Sequence, residues 1–157
     1  KFDFPYFFPG IDEYNRPLTQ RGYRDAPEMG RRLAGSPIEI NRIITSPANR
    51  AQTTAGIIGQ ALKIPKSQID PRNDLYLASS EVILELIRDF DDTWNHVLVV
   101  GHNTVMTSLV KTLTGADIEN IPTCGVARIE SDTDDWKGVC HGKCQLLDFD
   151  YPKNNPA

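Results

Sequence analysis

The 157-residue sequence is short of cysteine, of positive charge and of long apolar runs, and each shortage excludes a class of protein. Its three cysteines, Cys124, Cys140 and Cys144, are odd in number and loosely spaced. That argues against a disulfide framework and for a reducing compartment, read here as the cytoplasm. Lys and Arg number 17 against 21 Asp and Glu, a formal charge of −4, whereas a nucleic-acid binder would carry a basic face. No apolar stretch approaches the roughly 20 residues needed to cross a bilayer, so no membrane partner is expected. No basic-then-apolar leader opens the chain. An initiating Met is missing too: the sequence starts Lys1-Phe2-Asp3 and reads as the remainder of a longer chain. What is present, 39% hydrophobic and 24% charged residues, suits one globular domain over 1–157.

The opening "FDFPYFFPGIDEYN" is aromatic and rich in proline, so it reads as an ordered loop, with Phe7 and Phe8 on the rim of a pocket. Thr19 is placed to cap a helix over Gln20–Ala34, ended by Gly35, in which Pro27 predicts a kink or a later start. Ile38, Ile40, Ile43 and Ile44 mark a strand, and Ser46-Pro47 then predicts a cap and first turn for a helix from Ala48 to Leu62. A short strand near Ile69 lies in the connection that follows. Ser79 or Ser80 starts a helix through Ile87, and Val97–Val100 is a strand before a helix from Thr104 to Thr114, closed by Gly115. Val126–Glu130 and Cys144–Phe149 form a final hairpin. Strands alternating with helices imply an α/β fold of three layers, α/β/α, with a mostly parallel central sheet and a C-terminal antiparallel hairpin.

Two strands end alike. Ile43-Ile44-Thr45 runs into Ser46-Pro47-Ala48-Asn49-Arg50, and Leu98-Val99-Val100 into Gly101-His102-Asn103. Ligands of open α/β sheets bind beyond the carboxyl ends of strands, where helix N-termini favour anions. A guanidinium (Arg50) and an imidazole (His102) at neighbouring junctions make a phosphate site. Taken singly, Arg50 is as well read as a surface arginine, His102 as a hydrogen-bonded core histidine and Asn103 as a cap; their coincidence on one face carries the assignment. Arg16, in "RPLTQRG", is a third candidate. Cys124, Cys140, His141 and Cys144 could be assembled into a zinc site, but their spacing favours small buried side chains, and no metal is assigned.

These stretches, "RPLTQRG", "DAPEMG", "ITSPANRAQTTAGII", "VLVVGHNTVMTSLV" and "IPTCGVARIE", resemble the histidine phosphatase superfamily with its phosphoglycerate-mutase-like fold, and within it the short SixA-type branch. The resemblance implies a phosphatase that works through a phosphohistidine intermediate, with no metal or organic cofactor. Arg50 then looks like the phosphate clamp and His102 like a donor to the transferring phosphoryl oxygens. Arg16, Thr19, Ser46 and Asn103 complete the candidate phosphate-binding set. The implied partner is a phosphorylated protein, such as one with a phosphohistidine-carrying domain, or a small phosphomonoester.

The sequence departs from the family pattern in two places. The attacking histidine, expected at the end of a first strand in an Arg-His-Ala motif, is not in the chain. His96 and His141 are wrongly placed for it, so that strand is expected upstream of Lys1. Nor does "DLYLASSEVILELI" leave room for the insertion that carries a proton-donating acid in larger members. Glu81 is the nearest candidate, and it is better read as a helix N-terminal charge. A phosphoramidate leaving group can take its proton from solvent, which fits phosphohistidine. The competing readings are a phosphate-binding pseudo-enzyme and a phosphomutase, the latter disfavoured because the enclosing insertions are absent.

Overall fold

A computed structural model describes residues 13–154. Nine regular elements alternate along it: α1 (Gln20–Ala34), β1 (Arg42–Thr45), α2 (Asn49–Ala61), β2 (Ile69–Pro71), α3 (Ser80–Arg88), β3 (Val97–Val100), α4 (Val105–Thr114), β4 (Val126–Ser131) and β5 (Cys144–Asp150). Strands β2, β1 and β3 form a parallel sheet in that order, and β4 pairs with β5 antiparallel. The α/β architecture with a terminal hairpin is the one expected.

Period-two alternation in β1 divides the core into two layers. Ile43 turns toward α2, where its Cδ1 would lie 3.4 Å from a Cβ added at Gly59. Ile44 turns the other way, into a cluster with Leu75, Ile83, Leu86, Ile87, Leu109 and Leu113. Both isoleucines are fully buried, worth about 1.5–3 kcal/mol each in apolar transfer. Helix α1 packs on α2 at a close crossing made by Gly30. A Cβ there would meet the Ala61 Cβ at 2.9 Å and the Ile58 Cα at 3.4 Å. The hairpin docks through Trp136, whose Nε1 donates to the Trp94 carbonyl at 2.9 Å. Arg32 ties the chain end down, donating to Asp150 and to the carbonyls of Tyr151, Pro152 and Asn154.

Local differences from expectation have physical causes. Helix α1 begins at Gln20, with the Thr19 hydroxyl accepting from Gly22 N–H at 3.1 Å, and it runs through Pro27 rather than starting after it. Proline removes the partner of the Tyr23 carbonyl four residues back. Strand β1 is shorter than the isoleucine run, because only Arg42–Thr45 find partners in the sheet, Arg42 on β3 alone and Ile43, Ile44 and Thr45 on both sides. Helix α2 starts at Asn49 instead of Ala48, with no side-chain cap, since the Ser46 hydroxyl is engaged elsewhere. Helix α4 is closed as expected by Gly115 in the left-handed region, φ 70°.

Strand β3 pairs with β1 on one edge only among the described residues. All four of its residues stay partly exposed, an unusual state for an apolar strand of a parallel sheet. Phe7 and Phe8, expected at the pocket rim, lie outside the described residues. No helix among the described residues is long and apolar enough to cross a membrane.

Candidate active site

Register brings the two strand ends together. Thr45 lies opposite Val100, and the ladder continues one step further through Ser46 N–H to the Val100 carbonyl at 2.8 Å. Ser46 and His102, each just past its strand, therefore meet, with Nε2 of the imidazole 2.7 Å from the Ser46 hydroxyl. Arg50, in the first turn of α2, reaches the other face of the ring: its Nη2 is 3.4 Å from His102 Nδ1. A guanidinium has no acceptor, so Nδ1 must accept and Nε2 must carry the proton. His102 thus donates to Ser46 Oγ, which also accepts from Ala48 N–H at 3.2 Å.

The loop before α1 closes the third side. Asn49 N–H donates to the Tyr14 carbonyl at 2.9 Å, and the Asn49 side-chain amide to the Asn15 carbonyl at 3.1 Å. These bonds hold residues 13–16 against the start of α2 and set Arg16 beside Arg50. The Arg16 and Arg50 side chains are only 16% and 18% exposed. Burial, and then the charge of Arg16, lower the Arg50 pKa, yet an arginine remains charged at any physiological pH. Burial is also the main cause that pushes the His102 imidazole down from 6.5 to about 4, with Arg50 and Arg16 adding to it. His102 is consequently neutral at pH 7, between two fixed positive charges.

Of the residues expected at the site, Arg16, Arg50, Ser46 and His102 come together. Thr19 and Asn103 are held in other roles. The Thr19 hydroxyl caps α1. The Asn103 amide donates to the Ile121 carbonyl and its oxygen accepts from Thr107 Oγ1 at 2.9 Å, while Thr107 Oγ1 in turn accepts from Ile121 N–H at 3.1 Å. This network anchors the 120–121 segment to α4. Ser46 is the partner of His102 rather than the cap of α2. Two of the N–H groups at the start of α2, those of Ala48 and Asn49, are likewise consumed inside the protein, so the side chains carry the anion-binding capacity.

Three participants were not read from the sequence. Glu13 places Oε2 3.3 Å from Arg16 Nε and 3.8 Å from Arg50 Nη2, and its carbonyl accepts from Arg50 Nη1. Tyr76 sets its ring edge-on to His102, centroids 6.0 Å apart, and Tyr14 sits edge-on to Tyr76 at 5.1 Å. The Tyr76 position was accessible in principle. It follows β2, the third parallel strand, and the rule that ligands lie beyond strand ends applies there too. Glu81, the candidate proton donor, stands in the first turn of α3 with its carboxylate 2.9 Å from His141 Nε2. It lines a separate cleft with Arg72, Asp74 and Glu85.

No three His, Cys, Asp or Glu side chains gather in a metal-holding arrangement among the described residues. The Cys124 thiol is pushed up to about 11, chiefly by burial, which disfavours the thiolate a zinc ion needs. The arrangement can do one thing plainly. Two charged guanidiniums and a neutral imidazole converge beyond a parallel sheet, a preorganised place for an oxyanion.

Residues 12–76 match the model of the histidine phosphatase superfamily, branch 1. Phosphohistidine phosphatase SixA of Escherichia coli is 31% identical over 103 residues, covering 62% of each chain. An uncharacterized protein of Mycobacterium tuberculosis is 28% identical over 154 residues, 92% of this chain and 94% of that one. Among solved structures, a putative phosphohistidine phosphatase SixA from Nakamurella multipartitia superposes with a TM-score of 0.81 at 21% identity, covering 92% of this chain and 90% of that one. The protein histidine phosphatase SixA complexed with tungstate gives 0.77 at 23% identity, over 91% and 88%. The meeting of Arg16 with Arg50 and His102, the match over residues 12–76 and the shared fold lead to one conclusion: the chain has the fold of the SixA structures and is similar, over residues 12–76, to the histidine phosphatase superfamily, branch 1.

Proposed function

We propose that the protein is a phosphatase acting on phosphohistidine of a partner protein, with small phosphomonoesters as secondary substrates. The carrying observation is the approach of Arg50 Nη2 to His102 Nδ1, with Arg16 near enough to depress the pKa of both. In this reading a histidine nucleophile attacks phosphorus, its new N–P bond forming as the substrate P–N bond breaks. The departing imidazole nitrogen takes a proton from solvent. Water then attacks the phosphohistidine, a P–O bond forming as the enzyme N–P bond breaks; the water proton passes to solvent or to the freed imidazole, and inorganic phosphate leaves. Arg16 and Arg50 neutralise the equatorial oxygens, and the site needs no metal or organic cofactor.

His102 does not fit the nucleophile's part, because both of its ring nitrogens are engaged, by Ser46 and Arg50. The nucleophile in this proposal belongs to a further strand of the same domain, ending in Arg-His-Ala and paired along the free edge of β3. The support is that this edge has no partner among the described residues and that Val97–Val100 beside it are partly exposed. A phosphohistidine leaving group is favoured over an alkoxide because the acid candidate Glu81 is held by His141 instead of facing the arginines.

The test is phosphate release by the full-length protein from a phosphohistidine-bearing protein and from phosphoserine peptides, with Arg50→Ala and His102→Ala alongside. The expected result is a preference for phosphohistidine and a loss on the order of 10²-fold in either variant. Equal turnover by all three proteins would discard the assignment. A pseudo-enzyme that binds phosphorylated partners is the second reading. It is favoured by His102 being the only imidazole at the arginine pair among the described residues, and phosphate binding without release by the full-length protein would select it.

A further inference from the structure

The arginine pair already holds an anion of the chain's own. One carboxylate oxygen of Glu13 lies 3.3 Å from Arg16 Nε and 3.8 Å from Arg50 Nη2, shared by the two groups assigned above to phosphoryl oxygens. The backbone of that segment is fixed. The Glu13 carbonyl accepts from Arg50 Nη1, and the next two carbonyls accept from Asn49. The Glu13 side chain is 44% exposed, so its carboxylate can swing to water while the main chain stays in place.

Resting on the reading of this cradle as the phosphoryl site, we infer that Glu13 is an internal competitor for it and so a specificity-determining residue. Its carboxylate must leave the two arginines when a phosphoryl group binds, and it returns as inorganic phosphate departs. Because Glu13 is tethered beside the arginines, it competes at a high effective concentration. A free carboxylate ligand brings the same charge and the same two oxygens, and gains nothing by replacing it. A phosphoryl group brings more charge and three oxygens, enough to engage both guanidiniums at once. Once displaced, the Glu13 carboxylate is a like charge next to bound phosphate, which favours release of product over its retention.

The effect is modest because the group is half in water. Exposed ion pairs of this kind change affinity roughly two- to fivefold. The experiment is calorimetric titration of the full chain with inorganic phosphate, in the parent, Glu13→Gln and Arg50→Ala proteins, with thermal melts to confirm that all three are folded. Glu13→Gln is expected to bind phosphate about two- to fivefold more tightly, with the gain shrinking as salt is raised. Unchanged or weaker binding by Glu13→Gln overturns the inference. If the parent binds and Arg50→Ala weakens binding more than about tenfold, a failure at Glu13 leaves the phosphoryl-site reading standing. Absent binding by the parent, or equal binding by Arg50→Ala, brings down both.

Discussion

The protonation of His102 offers a quantitative test of the site's electrostatics. Burial, reinforced by Arg50 and Arg16, lowers its pKa from 6.5 to about 4. For a group sealed from water that difference would correspond to roughly 3 kcal/mol, and about 2 kcal/mol is expected after allowing for the partial exposure of the ring. The sign follows from which state binds more protons. Between pH 4 and 6.5 the unfolded chain protonates this imidazole while the folded protein does not, so unfolding takes up a proton. Stability from this group is therefore complete above pH 6.5 and is lost as pH falls toward 4. The assay is a proton NMR titration of the imidazole resonances, with the His102 signal identified by its disappearance in His102→Gln. Its midpoint should lie near 4. In Arg50→Ala it should rise yet stay below 6.5, because burial, the larger cause, remains. A midpoint at 6.5 in the parent, or one that Arg50→Ala leaves unmoved, would refute the reasoning.

Three further outcomes can be measured by denaturant or thermal unfolding. Ser46→Ala strands the buried Ala48 N–H and the partly buried His102 Nε2–H, and should cost about 1–3 kcal/mol; a neutral result in urea titration would mean that neither bond forms. Leu77 is 87% exposed at φ 54°, a region disfavoured for a side-chain-bearing residue. Leu77→Gly should therefore stabilise by about 0.5–1 kcal/mol, and a lowered melting temperature would contradict it. Gly30→Ala drives a methyl toward the Ala61 Cβ and the Ile58 backbone. Overpacking should exceed the gain in helix propensity, leaving a net loss of about 1–2 kcal/mol in urea unfolding; a gain would show that α1 and α2 can move apart freely.

The sequence carried the parts of the fold set by local rules. Thr19 starts α1 as its cap chemistry requires, Gly35 ends it at an ordinary φ of −80°, and Gly115 stops α4 with a positive φ. The length of β1 was not legible, because strand ends depend on which neighbours offer partners, and Ile38 and Ile40 have none in the sheet. At the site, Arg50 and His102 were readable because a strand handing over to a helix fixes where the next few side chains stand. Ser46 was misread as a cap because the stronger claim on its hydroxyl comes from His102, 56 positions away. Thr19 shows the converse, a polar residue near the site claimed by a local backbone donor before any ligand, whereas Asn103 is held by Thr107 and by the distant Ile121 carbonyl. Glu13 left no local signal, since its role depends on the Asn49 bonds to the 14–15 backbone; Tyr76 was reachable only through the rule that ligands lie beyond strand ends, once the end of β2 is known to lie beside β1.

The most direct measurement is a crystal of the protein soaked in tungstate, with the metal located by its anomalous scattering. The account predicts one strong peak within hydrogen-bonding reach of Arg16, Arg50 and His102, with the Glu13 carboxylate turned away from both arginines. A map with tungsten bound elsewhere and the arginine pair still closed on Glu13 would contradict it.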